Sequence, residues 1–93
     1  MKILSTGTYW KFLCPVCGVH YIPQNAGWQF DGDVDAPTIT PSLVEVVNSP
    51  NHPNHQEDEP TTTCHLNVTN GEIVFHEDCT HELAGQTVAM TDW

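Results

Sequence analysis

Four cysteines and six histidines stand in a chain of 93 residues, and two of the cysteines have a spacing that does chemistry. In Cys14-Pro15-Val16-Cys17-Gly18 two thiolates can reach one cation, because Pro15 fixes φ and Gly18 tolerates a positive φ, so the backbone bends between and after the sulfurs. A tetrahedral thiolate site needs two further ligands, and Cys64-His65 and Cys79-Thr80-His81 supply the downstream candidates. The expected ligands are therefore Cys14, Cys17, Cys64, Cys79 and His81. Either all four thiolates, or three of them with one imidazole, would be an ordinary structural zinc set. Whether Cys79, His81 or His65 completes the set stays open. So does zinc against iron, since such knuckles also hold iron in electron-transfer proteins.

Other chemistries fit less well. A thioredoxin-like pair wants its Cys-x-x-Cys at the start of a helix, and Gly18-Val19-His20-Tyr21-Ile22 is no helix former. A catalytic zinc would keep an open position beside a base such as Asp78 or Glu82, but thiolate-rich sites are usually structural and no His-Glu-x-x-His occurs. Asp31, Asp33 and Asp35 mimic the start of a calcium loop, yet Ala36 replaces the required glycine and Ser42 the bidentate glutamate. They are expected to form a solvated turn. His52 and His55 lie in a Pro/Asn-rich stretch that offers no supporting hydrogen bonds to hold a ligand. For His20 a ligand role, a place beside the site and a place at the surface are all open, with the last two favoured, and His76 is expected in solvent.

The acidic balance narrows the partners. Lys and Arg number 2 against 12 Asp and Glu, a formal net charge of −10, which bound thiolates would deepen. A phosphate backbone is bound by Lys and Arg that release its counterions, so direct nucleic-acid binding is excluded. The charge reads first as a source of solubility; the sharper reading, and the partner expected from it, is a basic protein surface. No stretch is apolar enough for a signal peptide or a membrane span, which leads to an expectation of a cytoplasmic protein. In that reducing setting cysteines are metal ligands more often than disulfides.

The elements that must carry these residues are mostly β. Gly7 to Leu13 is rich in aromatic and β-branched residues and delivers Cys14 to the knuckle, and Val19-His20-Tyr21-Ile22 returns. Trp28-Gln29-Phe30 alternates before the Asp31-Gly32 turn, Pro37–Ser42 is extended, and Leu43–Val47 is a strand. Residues 48–63 contain no apolar side chain, so a mobile polar loop is expected there. Asn70-Gly71 between Cys64–Thr69 and Glu72–His76 is the strongest hairpin signal. Alternation puts Cys64 with Leu66 and Val68 on one face and His65 with Asn67 and Thr69 on the other. Residues 79–84, ended by Gly85, have the make-up of one short helix, and Gln86–Met90 of a last short strand. Trp10, Trp28 and Phe30 are expected in the core of so small a domain. The predicted fold is one zinc-binding domain over 1–93, a zinc-ribbon-like assembly of short antiparallel hairpins with one helix near 79–84.

Taken in order, Cys14-Pro15-Val16-Cys17-Gly18 with His20, Gly27–Asp33, Pro37–Leu43, Cys64-His65, Gly71–Phe75 and Asp78–Val88 resemble a family of small phage and prophage proteins of unknown function, often labelled ammonia monooxygenase. A membrane monooxygenase needs spans that this chain lacks. The resemblance implies action in the cytoplasm of an infected bacterium and favours His81 as fourth ligand. With no catalytic signature in view, the function it points to is a zinc-stapled acidic binding protein that modulates or inhibits a host factor, such as one of defence, with enzyme status left open and a non-enzyme favoured. A small zinc-dependent hydrolase and a virion accessory protein are the alternatives.

Overall fold

Period-2 patterning and turn chemistry produce two antiparallel sheets. In the computed structural model, which describes residues 1–93, β1 (Ile3–Ser5), β2 (Tyr9–Cys14) and β3 (Gly18–Pro23) form one sheet in that order. The other runs β4 (Gln29–Phe30), β5 (Ile39–Val47), β6 (Thr62–Thr69), β7 (Glu72–Phe75) and β8 (Thr87–Ala89), again in chain order. Each neighbouring pair is antiparallel, so turns and loops suffice as connections. No helix is present, and so none is long and apolar enough to cross a membrane. The mostly-β expectation holds, with β1 as an added edge strand that its three residues were too short to announce.

Thirteen buried apolar residues form one core drawn from both sheets. Phe12, Ile3 and Ile22 come from the three-stranded sheet, and Ile39, Leu66, Val68, Ile73 and Phe75 from the five-stranded one. Trp10, Trp28 and Phe30 pack against this core half-buried. The β6–β7 hairpin turns on Asn70 and Gly71, both with positive φ (49° and 78°), as the twist of a two-residue turn demands. Gly71 is also crowded: a Cβ there would sit 3.1 Å from the Ala36 Cα.

The expected helix over 79–84 is not formed; the segment is a run of turns. Ala84 N–H bonds the His81 carbonyl and Gln86 N–H that of Leu83, whereas Thr80 N–H goes to Thr63 and Gly85 N–H to His76. Six residues cannot nucleate a helix when their donors are claimed by other parts of the chain. Residues 48–61 close on one side chain, since Asn48 Nδ2 donates to the carbonyls of Gln56 (2.9 Å) and Glu59 (2.8 Å) and its Oδ1 accepts from Gln56 N–H (2.8 Å).

Strand alternation and one irregularity give the larger sheet two chemically distinct faces. Along β6, Cys64, Leu66 and Val68 are buried while His65 and Asn67 are half-buried, so Cys64 and His65 point to opposite faces of one strand. The β5–β6 register shifts between Ile39 and Leu43, where Pro41 has no N–H to give the ladder. Ser42 lies in this irregularity, the kind of place where a strand re-aims a side chain.

Candidate active site and metal centre

On the outer face of the larger sheet three side chains meet in line. Ser42 comes from the irregular part of β5, and its carbonyl is held by the Trp28 Nε1–H at 3.3 Å. His65 stands on β6 opposite Val44, which places its ring next to Ser42, and Nε2 lies 3.2 Å from Ser42 Oγ. The other ring nitrogen, Nδ1, lies 3.0 Å from each oxygen of Asp78, three residues past β7. The Nδ1–H bond from His65 holds the Asp78 carboxyl below the usual carboxylate range, so it is ionised at neutral pH. An ionised carboxylate can only accept, which puts the proton on Nδ1 and leaves a lone pair on Nε2 facing Ser42. Hydroxyl, imidazole and carboxylate thus stand in the relation that a Ser-His-Asp triad requires.

The backbone at His65 is braced from beneath. Cys79 Sγ donates to the His65 carbonyl and accepts from the His65 N–H, both at 3.2 Å. Cys79 thereby spends its sulfur on β6 and stands outside the cluster of four side chains on the inner face that could hold a metal ion. His65 likewise faces away from that cluster.

The cluster lies where the two sheets meet. Ligand atoms of Cys14 (end of β2), Cys17 (the knuckle), His20 (β3) and Cys64 (β6) all lie within 4.8 Å of one another, close enough to hold a metal ion. Cys17 Sγ is 2.7 Å from Cys64 Sγ, and His81 Nε2 is 3.2 Å from Cys64 Sγ. Burial pushes the Cys64 and Cys17 thiols up; for Cys64 the contact with Cys17 adds to this, and for both the neighbouring thiols repel a second negative charge. A cation reverses that logic, since it rewards the charges that the apo site resists.

His20, for which the sequence favoured a place beside the site or at the surface, stands within the cluster. It is fully buried, its Nδ1 is paired with the Glu45 carboxylate, and its Nε2 is a buried nitrogen with no hydrogen-bond partner. Burial, helped by nearby His81, pushes its imidazole down to about 4. A neutral imidazole held at Nδ1 by a carboxylate, with Nε2 bare and aimed among three thiols, is the usual state of a metal-ligating histidine. His81 differs: its Nδ1 accepts the Leu83 N–H at 3.2 Å, so Nε2 carries the proton and donates to the Cys64 sulfur. The donor set fits a thiolate-rich zinc site.

A family model described as "Bacterial ubiquitination-like system serine protease (BubE)" matches residues 2–76. The chain belongs to the BubE family. No curated protein and no solved structure matches it. The matched span contains Ser42 and His65, and the fold brings Asp78 to them from two residues beyond it. Membership overturns the expectation of a phage-type modulator of a host factor: the BubE family is bacterial and is described by a protease activity, not by the occupation of another protein.

Ser42 was not a candidate on sequence, and Asp78 entered only as a base for zinc. Triad members have no fixed spacing or order. The available signal was Ser42 beside Pro41, at the foot of a strand pairing with the one that carries His65.

Proposed function

We propose that this chain is a serine peptidase in which Ser42 is the nucleophile, His65 the general base and Asp78 the group that fixes the base. The observation supporting it is the line Ser42 Oγ–His65 Nε2 (3.2 Å) and His65 Nδ1–Asp78 (3.0 Å) in a chain of the BubE family. Ser42 Oγ attacks the scissile carbonyl carbon as Nε2 takes its proton. Nε2 returns that proton to the leaving amine when the C–N bond breaks, and water then hydrolyses the acyl-Ser42 ester by the same route. Asp78 stabilises the imidazolium formed in each half-reaction and stays ionised throughout. The proteins of a bacterial ubiquitination-like system are the substrates that the family description favours.

Cys14, Cys17, His20 and Cys64 are the residues we assign to a zinc ion, with His81 bonded to the Cys64 sulfur and Glu45 to His20. A bound zinc would supply structure rather than Lewis acidity, because three thiolates and an imidazole fill a tetrahedral shell. It would fasten the knuckle of one sheet to β6 of the other, one residue from the general base.

A fluorophosphonate probe tests the nucleophile. Its phosphorus forms a bond to Ser42 Oγ as fluoride leaves, and mass spectrometry locates the adduct. The expected result is one adduct at Ser42, none in Ser42→Ala, and labelling slowed by about 10³-fold or more in His65→Ala. Labelling that survives Ser42→Ala would overturn the assignment.

A further inference from the structure

We propose that His76 is the positioning residue of the triad: its ring is a flat seat that keeps the His65 imidazole in the plane where Nδ1 meets Asp78 and Nε2 meets Ser42. The inference rests on the reading of Ser42 as a nucleophile.

His76 follows β7 directly and lies across from His65, and its N–H donates to the His65 carbonyl at 2.8 Å. The two rings are stacked, with centroids 3.9 Å apart and planes 9° from parallel. His76 is itself pinned, because its Nε2–H donates to Asn67 Oδ1 at 2.6 Å. Asn67 stands two residues from His65 on the same face of β6. The two strands therefore hold the catalytic ring through a closed loop: backbone of His65 to backbone of His76, ring of His76 to Asn67, and β6 back to His65.

The triad needs such a seat. The His65 ring is gripped only at its edges, and an imidazole χ2 has broad wells, so two edge contacts leave rotation about the Cα–Cβ and Cβ–Cγ bonds weakly opposed. Its main edge partner offers little restraint, since the Asp78 side chain is 67% exposed and water competes for its oxygens. The His65 side chain lies on the outer face of the sheet, partly open to water at 23% exposed. A parallel ring on one face blocks the swing that edge contacts permit. It also keeps water from that face of the base. His76 makes no hydrogen bond to Ser42 Oγ or Asp78, so its one contact with the triad side chains is the stacked face of His65, beside a weak charge effect on Asp78.

The test uses the full chain in its metal-bound form and three variants, His76→Ala, His76→Phe and Asn67→Ala. Phenylalanine keeps a flat face and loses the bond to Asn67, whereas alanine loses the face. Acylation of Ser42 by the fluorophosphonate should fall about 30- to 100-fold in His76→Ala, the scale of an ångström of misplacement. His76→Phe should recover to within about fivefold of wild type, and Asn67→Ala, with both rings present and one unpinned, should lose about three- to tenfold. The probe concentration at half-saturation should stay unchanged, since the seat serves the chemical step. In parallel, long-range 1H–15N spectra of the imidazoles at a single pH read the His65 tautomer. A proton fixed on Nδ1 is expected in wild type and His76→Phe, and averaging of the two nitrogens in His76→Ala.

Wild-type acylation in His76→Ala overturns the proposal, as does a His76→Phe protein as slow as the alanine variant at unchanged thermal midpoint. If His76→Ala does not fold, Asn67→Ala and His76→Phe decide it, and full-rate acylation in Asn67→Ala counts against the seat. Should the wild-type protein itself not be acylated at Ser42, the nucleophile reading falls, and the His65 tautomer alone judges the seat: a spectrum unmoved by His76→Ala refutes it.

Discussion

Replacing Asp78 with asparagine is the sharpest probe of the outer-face chemistry, because it changes charge and hydrogen-bond sense while keeping shape. Both Asp78 oxygens lie 3.0 Å from His65 Nδ1, so either can accept the Nδ1–H. An asparagine offers one acceptor and one donor group. When its amide N–H2 faces the ring, the ring must accept at Nδ1 and carry its proton on Nε2, where it can no longer take the proton of Ser42. In a buried triad this exchange costs about 10⁴ in rate. Here Asp78 is 67% exposed, so water can satisfy the amide and the ring can recover its working tautomer part of the time. The expected loss is therefore smaller, about 10²- to 10³-fold in fluorophosphonate acylation. Asp78→Ala should sit at the mild end of that range, since it removes the orienting acceptor without installing a competing donor. Thermal midpoints and zinc content measured on the same samples separate a chemical loss from an unfolded one. Acylation of Asp78→Asn within about threefold of wild type, with Ser42→Ala inactive, would refute the claim that Asp78 sets the tautomer.

Zinc binding by the metal-free protein should release protons, because burial keeps the Cys17 and Cys64 thiols protonated at neutral pH until a cation displaces them. Calorimetry in buffers of different ionisation enthalpy should find about two or more protons per zinc, and an affinity that rises with pH. His20 follows the same sign: with its folded pKa lowered to about 4 from 6.5, the unfolded chain binds the extra proton between those values. Its contribution to stability is thus complete above about 6.5 and declines as pH falls towards about 4, which chemical denaturation of metal-free protein at stepped pH would follow. Phe75→Ala should cost about 3–5 kcal/mol, as the ring is fully buried and makes an edge contact with His81 at 4.8 Å between centroids. Gly71→Ala should lower the thermal midpoint, since it combines a φ of +78° with a 3.1 Å approach to Ala36; an unchanged midpoint would mean that the hairpin can move away.

Much of the frame was legible in the residues. The knuckle hairpin, the Asn70-Gly71 turn and the assignment of Cys64 inward and His65 outward all came from local rules, in which turn chemistry and a period of two leave few options. The helix over 79–84 failed for the complementary reason. Composition there permits a helical turn, but Thr63, His65 and His76 take the backbone and sulfur groups of Thr80, Gly85 and Cys79, and that competition is invisible from the segment itself.

Residue order was enough to mark a Cys-x-x-Cys turn suited to a cation between two short strands, and to turn His65 away from it. What His65 does there was decided by packing. Whether an outward histidine is solvated or catalytic depends on which residues the neighbouring strands present beside it. A register shift in β5 and the end of β7 bring Ser42 and Asp78 from 23 and 13 residues away. In the same way the knuckle fixed Cys14 and Cys17 by spacing, whereas for His20 the sequence left ligand, neighbour and surface residue open, and sheet packing drew it into the cluster with its Nε2 buried and Glu45 on its other nitrogen. Local spacing specifies what the backbone must do within a few residues; a site assembled across sheets is specified by packing, which no single stretch contains.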